Sequence, residues 1–183
     1  MHPVPLLPAD LAAPEALVSA VRARRGGQLF ALDRMLLHSP PLAEGWNTFL
    51  GAVRRGLSLS PRLAELAICR VAVLNGAAYE WHHHAPEFRA AGGTEPELAA
   101  LQAADPVQAG ALGEVEQAIV RLTDGMTRDI TPSPEALAFL RERLGDRDLV
   151  ELIATIAAYN RVSRFLVACG IAPEDDTSSA IAD

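Results

Sequence analysis

The chain has 183 residues, 50% hydrophobic and 21% charged, with a formal net charge of −7, which fits one globular domain able to bury a sizeable core. The negative balance opposes binding to nucleic acid or to an anionic membrane, since both need positive patches. Two cysteines, Cys69 and Cys169, are too few for a disulfide framework and form no CxxC pair, so a reducing compartment is expected.

The N-terminal MHPVPLLPADLAAPEALV lacks the basic region and apolar stretch of a secretion signal, and its prolines would interrupt a spanning helix. A soluble, cytoplasmic protein is expected, with residues 1–13 as an extended arm. The first helix starts at Pro14-Glu15 and runs to Arg25, where Gly26-Gly27 stops it. Leu29, Leu32, Met35 and Leu36 place a second helix within 28–38. Ser39-Pro40-Pro41 introduces a third, over 42–56. Ser60 and Pro61 then start a helix over 62–74 that is apolar on almost every face and so central. A fifth follows over 77–91, closed by Gly92-Gly93.

Short helices are expected over 94–104 and 107–126, the second with a start blurred by Gly110 and Gly113. Ser133 caps a helix over 134–144, and a last helix runs from 146 to 169. This gives an all-α domain over 14–172, with eight to nine helices and a flexible tail over 173–183. A weak internal echo aligns Leu63 with Leu149 and Glu65 with Glu151. No glycine-rich phosphate loop follows a strand pattern.

The tract AYEWHHHA, residues 78–85, holds three of the five histidines. Successive residues on a helix point about 100° apart, so His82, His83 and His84 cannot share one metal. Glu80 and His83 have an ExxH spacing, but no second ExxH accompanies it, and no metal is expected. Glu80 and His84, about 40° apart, do share a face. With Glu65 on the preceding helix they form a proton-transfer set, because histidine titrates near neutrality and burial raises a carboxyl group towards the working pH.

Structural alternatives stand beside this reading. Glu65 could neutralise Arg70, and His84 could be a satisfied core histidine. His82 and His83 read as surface residues. Tyr79 and Trp81 suit a core or a pocket wall. Cys69, one turn after Glu65, could look into the same cavity or serve as a small hydrophobe.

HSPPLAEGW, then LSPRLAELAICRVAVLNGAAYEWHHHAPEFRAAG, resembles the carboxymuconolactone decarboxylase family within the alkylhydroperoxidase D-like superfamily. The resemblance is strongest over 35–101 and selects His84, three residues after Trp81. Peroxidase members carry CxxCxxxH with a glutamate twelve residues before the first Cys. Anchored on His84, that pattern puts the thiols at Ala77 and Glu80 and the glutamate at Glu65, so both thiols are missing here while the acid–base groups remain.

The resemblance implies an alkylhydroperoxidase D-like bundle that assembles as a homo-oligomer, a trimer or hexamer. It also implies a cofactor-free lyase acting on a small oxygenated acid or lactone. Glu65, Glu80 and His84 would be catalytic, and Arg70, Tyr79, Trp81 and Cys69 would line the substrate site. Arg70 would anchor a carboxylate if it reaches the cavity instead of pairing with Glu65. The alternatives are a peroxidase using Cys69 and a non-catalytic helical assembly module.

Overall fold

From Leu66 to Ala72 every residue is buried, and this segment is the axis on which the other helices pack. In the computed structural model, which describes residues 2–173, the order is α1 (Glu15–Arg24), α2 (Ala31–Leu36), α3 (Pro40–Arg55), α4 (Pro61–Leu74), α5 (Ala78–Ala90), α6 (Glu95–Gln102), α7 (Glu114–Arg128) and α8 (Pro134–Ala168). The described residues are all-α, with no strand. The tail expected over 173–183 falls, beyond its first residue, outside the described residues.

α4 packs against α5, α6, α7 and α8. Burying each of Leu66, Ile68 and Val71 contributes about 1.5–3 kcal/mol. The core takes up the apolar surface of α4. Gly76, at φ 62°, supplies the left-handed residue of the short turn that returns α5 along α4. That hairpin sets the site, because it brings Glu65 and the Glu80–His84 face together.

One boundary differs from expectation. α7 begins at Glu114 rather than near 107, because Asp105 accepts hydrogen bonds from the amides of Val107 and Gln108. Such side-chain turns compete with helix formation. α8 is two helical segments that meet at Gly145, where φ is 81° and ψ 170°, as expected from the helices read over 134–144 and 146–169. The break lets the second half of α8 pack along α4 and places Tyr159 beside α5.

The arm runs without helix over residues 2–13 but is tied down. Arg22 donates to the Ala9 carbonyl at 2.6 Å and Arg34 to the Leu7 carbonyl, while His38 Nε2 lies 2.8 Å from the Pro5 carbonyl. Leu6, Leu7 and Leu11 pack on the core. Glu151, the counterpart of Glu65 in the internal echo, has a different task. It accepts from the amides of Ser58 and Leu59 at 2.7 and 2.8 Å, pinning the loop that leads into α4. Among the described residues no helix is long and apolar enough to cross a membrane.

Candidate active site

Glu65 stands in the second turn of α4, and Glu80 and His84 lie one turn apart on α5. The imidazole of His84 is held between the two carboxylates. Nδ1 lies 2.7 Å from Glu65 Oε2, and Nε2 lies 3.3 Å from Glu80 Oε2. The Glu65 contact is an aligned hydrogen bond. The Glu80 contact is a charge pair without that alignment, and Glu80 Oε2 has no hydrogen-bond partner among the described residues.

Burial opposes a charge on His84, but the Glu65 hydrogen bond and the Glu80 carboxylate outweigh it and raise the imidazole to about 9. His84 is therefore an imidazolium at neutral pH. Its neighbour goes the other way: burial, then the adjacent His82, lowers His83 to about 4 and keeps it neutral. Two consecutive histidines thus occupy opposite protonation states, as happens where an active site separates its titrating groups.

The trio opens on a cavity of about 510 Å³. Glu65, Glu80, His84, Tyr79 and Tyr159 line its depth, and Arg54 and Arg55, from the end of α3, stand at its rim. Arg54 Nε donates to the Tyr159 hydroxyl at 2.9 Å, and the Tyr159 ring meets the His84 ring edge-on at 4.9 Å. Among the described residues neither Arg54 nor Arg55 forms an ion pair with a carboxylate, so two guanidinium groups are open to a ligand in a cavity that the exposed Glu87 also lines.

Of the residues singled out in the sequence, Glu65, Glu80, His84 and Tyr79 share this cavity, and three do not line it. Arg70 is buried elsewhere. Its Nε and Nη2 grip the two oxygens of Asp124, each at 2.7 Å, and Nη1 donates to the carbonyls of Leu101 and Ala103. With its donors committed, it pairs with neither Glu65 nor a ligand. Trp81 packs against the core. Cys69 is wholly buried, and burial, then the nearby Glu65, pushes its thiol up to about 12.

His83, read as a surface residue, lines the cavity instead, with its ring edge-on to Tyr79 at 4.4 Å. Its position three residues after Glu80 on one helix was the available signal. Arg54, Arg55 and Tyr159 lay outside the sequence reading, and no local pattern marks them. Among the described residues no three His, Cys, Asp or Glu side chains are grouped to hold a metal ion.

Residues 40–122 match the carboxymuconolactone decarboxylase family, from α3 into α7, including Glu65, Glu80 and His84. A protein of unknown function from Agrobacterium tumefaciens, named as a candidate antioxidant defence protein AhpD, has a similar structure. Its TM-score is 0.70 at 21% identity, over 78% of this chain and 97% of that one. The family match covers 83 of the 183 residues, and the structural likeness adds the all-α fold. An uncharacterized peroxidase-related protein from Silicibacter sp. shares the fold across almost the whole length, with a TM-score of 0.78 at 16% identity over 96% of this chain and 93% of that one. No curated protein matches the chain. The fold is shared over most of each chain, and the site here carries two carboxylates and an imidazole, with no cysteine lining the cavity.

Two expectations follow from this geometry. Replacing Arg70 by Ala leaves the Leu101 and Ala103 carbonyls without this donor and Asp124 with Arg128 alone at 3.2 Å, a loss of about 3–5 kcal/mol, seen as a lower urea midpoint. The second concerns pH. The folded pKa of His84, about 9, exceeds the unfolded value of 6.5, so its stabilisation is complete below about pH 6.5 and is lost as pH rises through about 9. The change amounts to about 3 kcal/mol. Wild-type urea midpoints should fall between pH 7 and 9.5, and His84→Gln should flatten that decline.

Proposed function

We propose that the protein is a cofactor-independent acid–base lyase of the decarboxylase type, acting on a small carboxylated carbon acid or lactone. The observation that carries this reading is the imidazolium of His84, held between Glu65 and Glu80 at the wall of a cavity with Arg54 and Arg55 at its rim. The rim suits an anionic substrate, with Arg55 free to hold a carboxylate.

In such a reaction the bond to the departing carboxylate breaks heterolytically and carbon dioxide leaves. The electron pair passes into the conjugated carbonyl to give a dienolate, and a proton must then reach carbon. Both ring nitrogens of His84 face carboxylates, so the imidazolium acts as a shuttle. Glu65, whose side chain keeps 19% of its exposure, meets the substrate. It takes the proton from Nδ1 and passes it to carbon, and water reloads the relay. Glu80 keeps His84 charged and oriented.

Glu65→Gln and His84→Gln should each lower kcat by about 10²–10⁴, measured as carbon dioxide release on a panel of carboxylated unsaturated lactones. Turnover that survives both substitutions would sink the relay.

A second reading, peroxide reduction, is favoured by the names of the two similar structures. In this chain it would run through Cys69, whose raised pKa and burial both suppress the thiolate that attacks peroxide. Peroxide consumption with a dithiol reductant that disappears in Cys69→Ser would support it over the lyase.

The assembly we propose is a homo-oligomer, a trimer or hexamer, as the superfamily resemblance implies. It would cover Leu42 and Phe49 of α3 and Val150 and Val167 of α8, which are exposed in the single chain. A monomer mass by light scattering at micromolar concentration would refute it.

A further inference from the structure

We propose that Tyr159 and Arg54 form an oxyanion subsite beside the Glu65–His84–Glu80 relay, binding the enolate-type oxygen that appears when the substrate bond breaks. The inference rests on the lyase reading and adds to it a catalytic group from α8, outside the family-matched segment 40–122.

Tyr159 lines the cavity, yet only 1% of its surface is exposed. Its hydroxyl oxygen accepts from Arg54 Nε at 2.9 Å, and the guanidinium carbon stands 5.7 Å from the ring centre. Among the described residues the hydroxyl hydrogen is donated to no acceptor. A buried hydroxyl that accepts without donating is half satisfied, and the cavity is where an acceptor can arrive.

Glu65 is hydrogen-bonded to His84, and Glu80, which faces His84 Nε2 as a charge pair with its Oε2 unbonded, makes no hydrogen bond to the Tyr159 hydroxyl. Thr155, one turn before Tyr159, donates its own hydroxyl to the Glu151 carbonyl at 2.8 Å. The free hydrogen therefore suits an oxygen of the substrate. A phenol accepting from a cation is also a stronger donor, because bonds in a chain polarise one another. Burial, with the Glu80 and Glu65 charges, holds the phenol above the ordinary tyrosine range despite Arg54, so the hydrogen stays in place at neutral pH.

The geometry fits the electron flow. The pair released from the carbon–carbon bond moves onto the carbonyl oxygen, where the Tyr159 O–H and the Arg54 guanidinium meet the negative charge. As the relay delivers its proton to carbon, the pair returns and the oxyanion is discharged. Donors aimed at developing charge in a site shielded from water are commonly a large contribution to catalysis.

The test uses 4-hydroxy-3-nitrobenzoate, a carboxylated phenol whose visible absorbance reports its phenolate, titrated with the protein at a pH where the free probe is half ionised. Wild-type protein should raise the phenolate fraction. Tyr159→Phe, which keeps the ring packed on His84, should weaken phenolate binding about tenfold or more, and Arg54→Gln, at the exposed rim, should weaken it as well. The proposal is overturned if the wild type binds the probe as neutral phenol, if it binds none at millimolar concentration, or if Tyr159→Phe binds the phenolate as tightly as the wild type. Probe binding needs no turnover. A failed lyase reading would show instead as turnover that survives Glu65→Gln and His84→Gln, whatever the probe does.

Discussion

A positively charged imidazole between two carboxylates is the constraint that organises this molecule. Taken from water singly, any of the three charges would be too costly to bury. Together they leave one net negative charge, and Arg54 lies close enough at the cavity rim for its charge to be coupled to Glu80 and Glu65. The arrangement needs α4 and α5 side by side in one register, which the turn at Gly76 provides. A chemically active group is kept in a protonated state that water alone would not give it, and the cavity is where that proton can be used.

The opposite side of α4 does structural work with the same residue types. Glu65 and Arg70 are five residues apart, about 140° around the helix, so the two charges look in different directions. Arg70 reaches the Leu101 and Ala103 carbonyls at the end of α6 and the Asp124 carboxylate on α7. The last carbonyls of a helix have no intrahelical partner, and one guanidinium satisfies two of them while holding α7. One helix thereby ties the bundle together on one face and presents an acid–base group on another.

Local chemistry made much of the fold legible. Proline at the first turns of α3 and α4, Ser133 at the start of α8 and the glycines after α1 and α5 marked helix ends within a few residues. The start of α7 was misread because Asp105 binds backbone amides that a helix would otherwise use. The Glu80–His84 pair followed from helical period alone, whereas its meeting with Glu65 took the packing of two helices. His83 was misread for a related reason: a histidine three residues after a buried glutamate faces inward only if that side of the helix is covered, here by Tyr79 and Phe30.

The sequence by itself determined most of the helices, the central place of α4 and the shared face of Glu80 and His84, because these depend on residue spacing and intrinsic conformational preference. Tertiary structure alone decided which charges meet. It sent Arg70 to Asp124, enclosed Cys69 beyond reach of the cavity, and brought Arg54 from α3 and Tyr159 from α8 to the histidine. Contacts between residues 105 positions apart in the chain leave no local periodicity. They arise when helices pack, and no spacing within one helix encodes them.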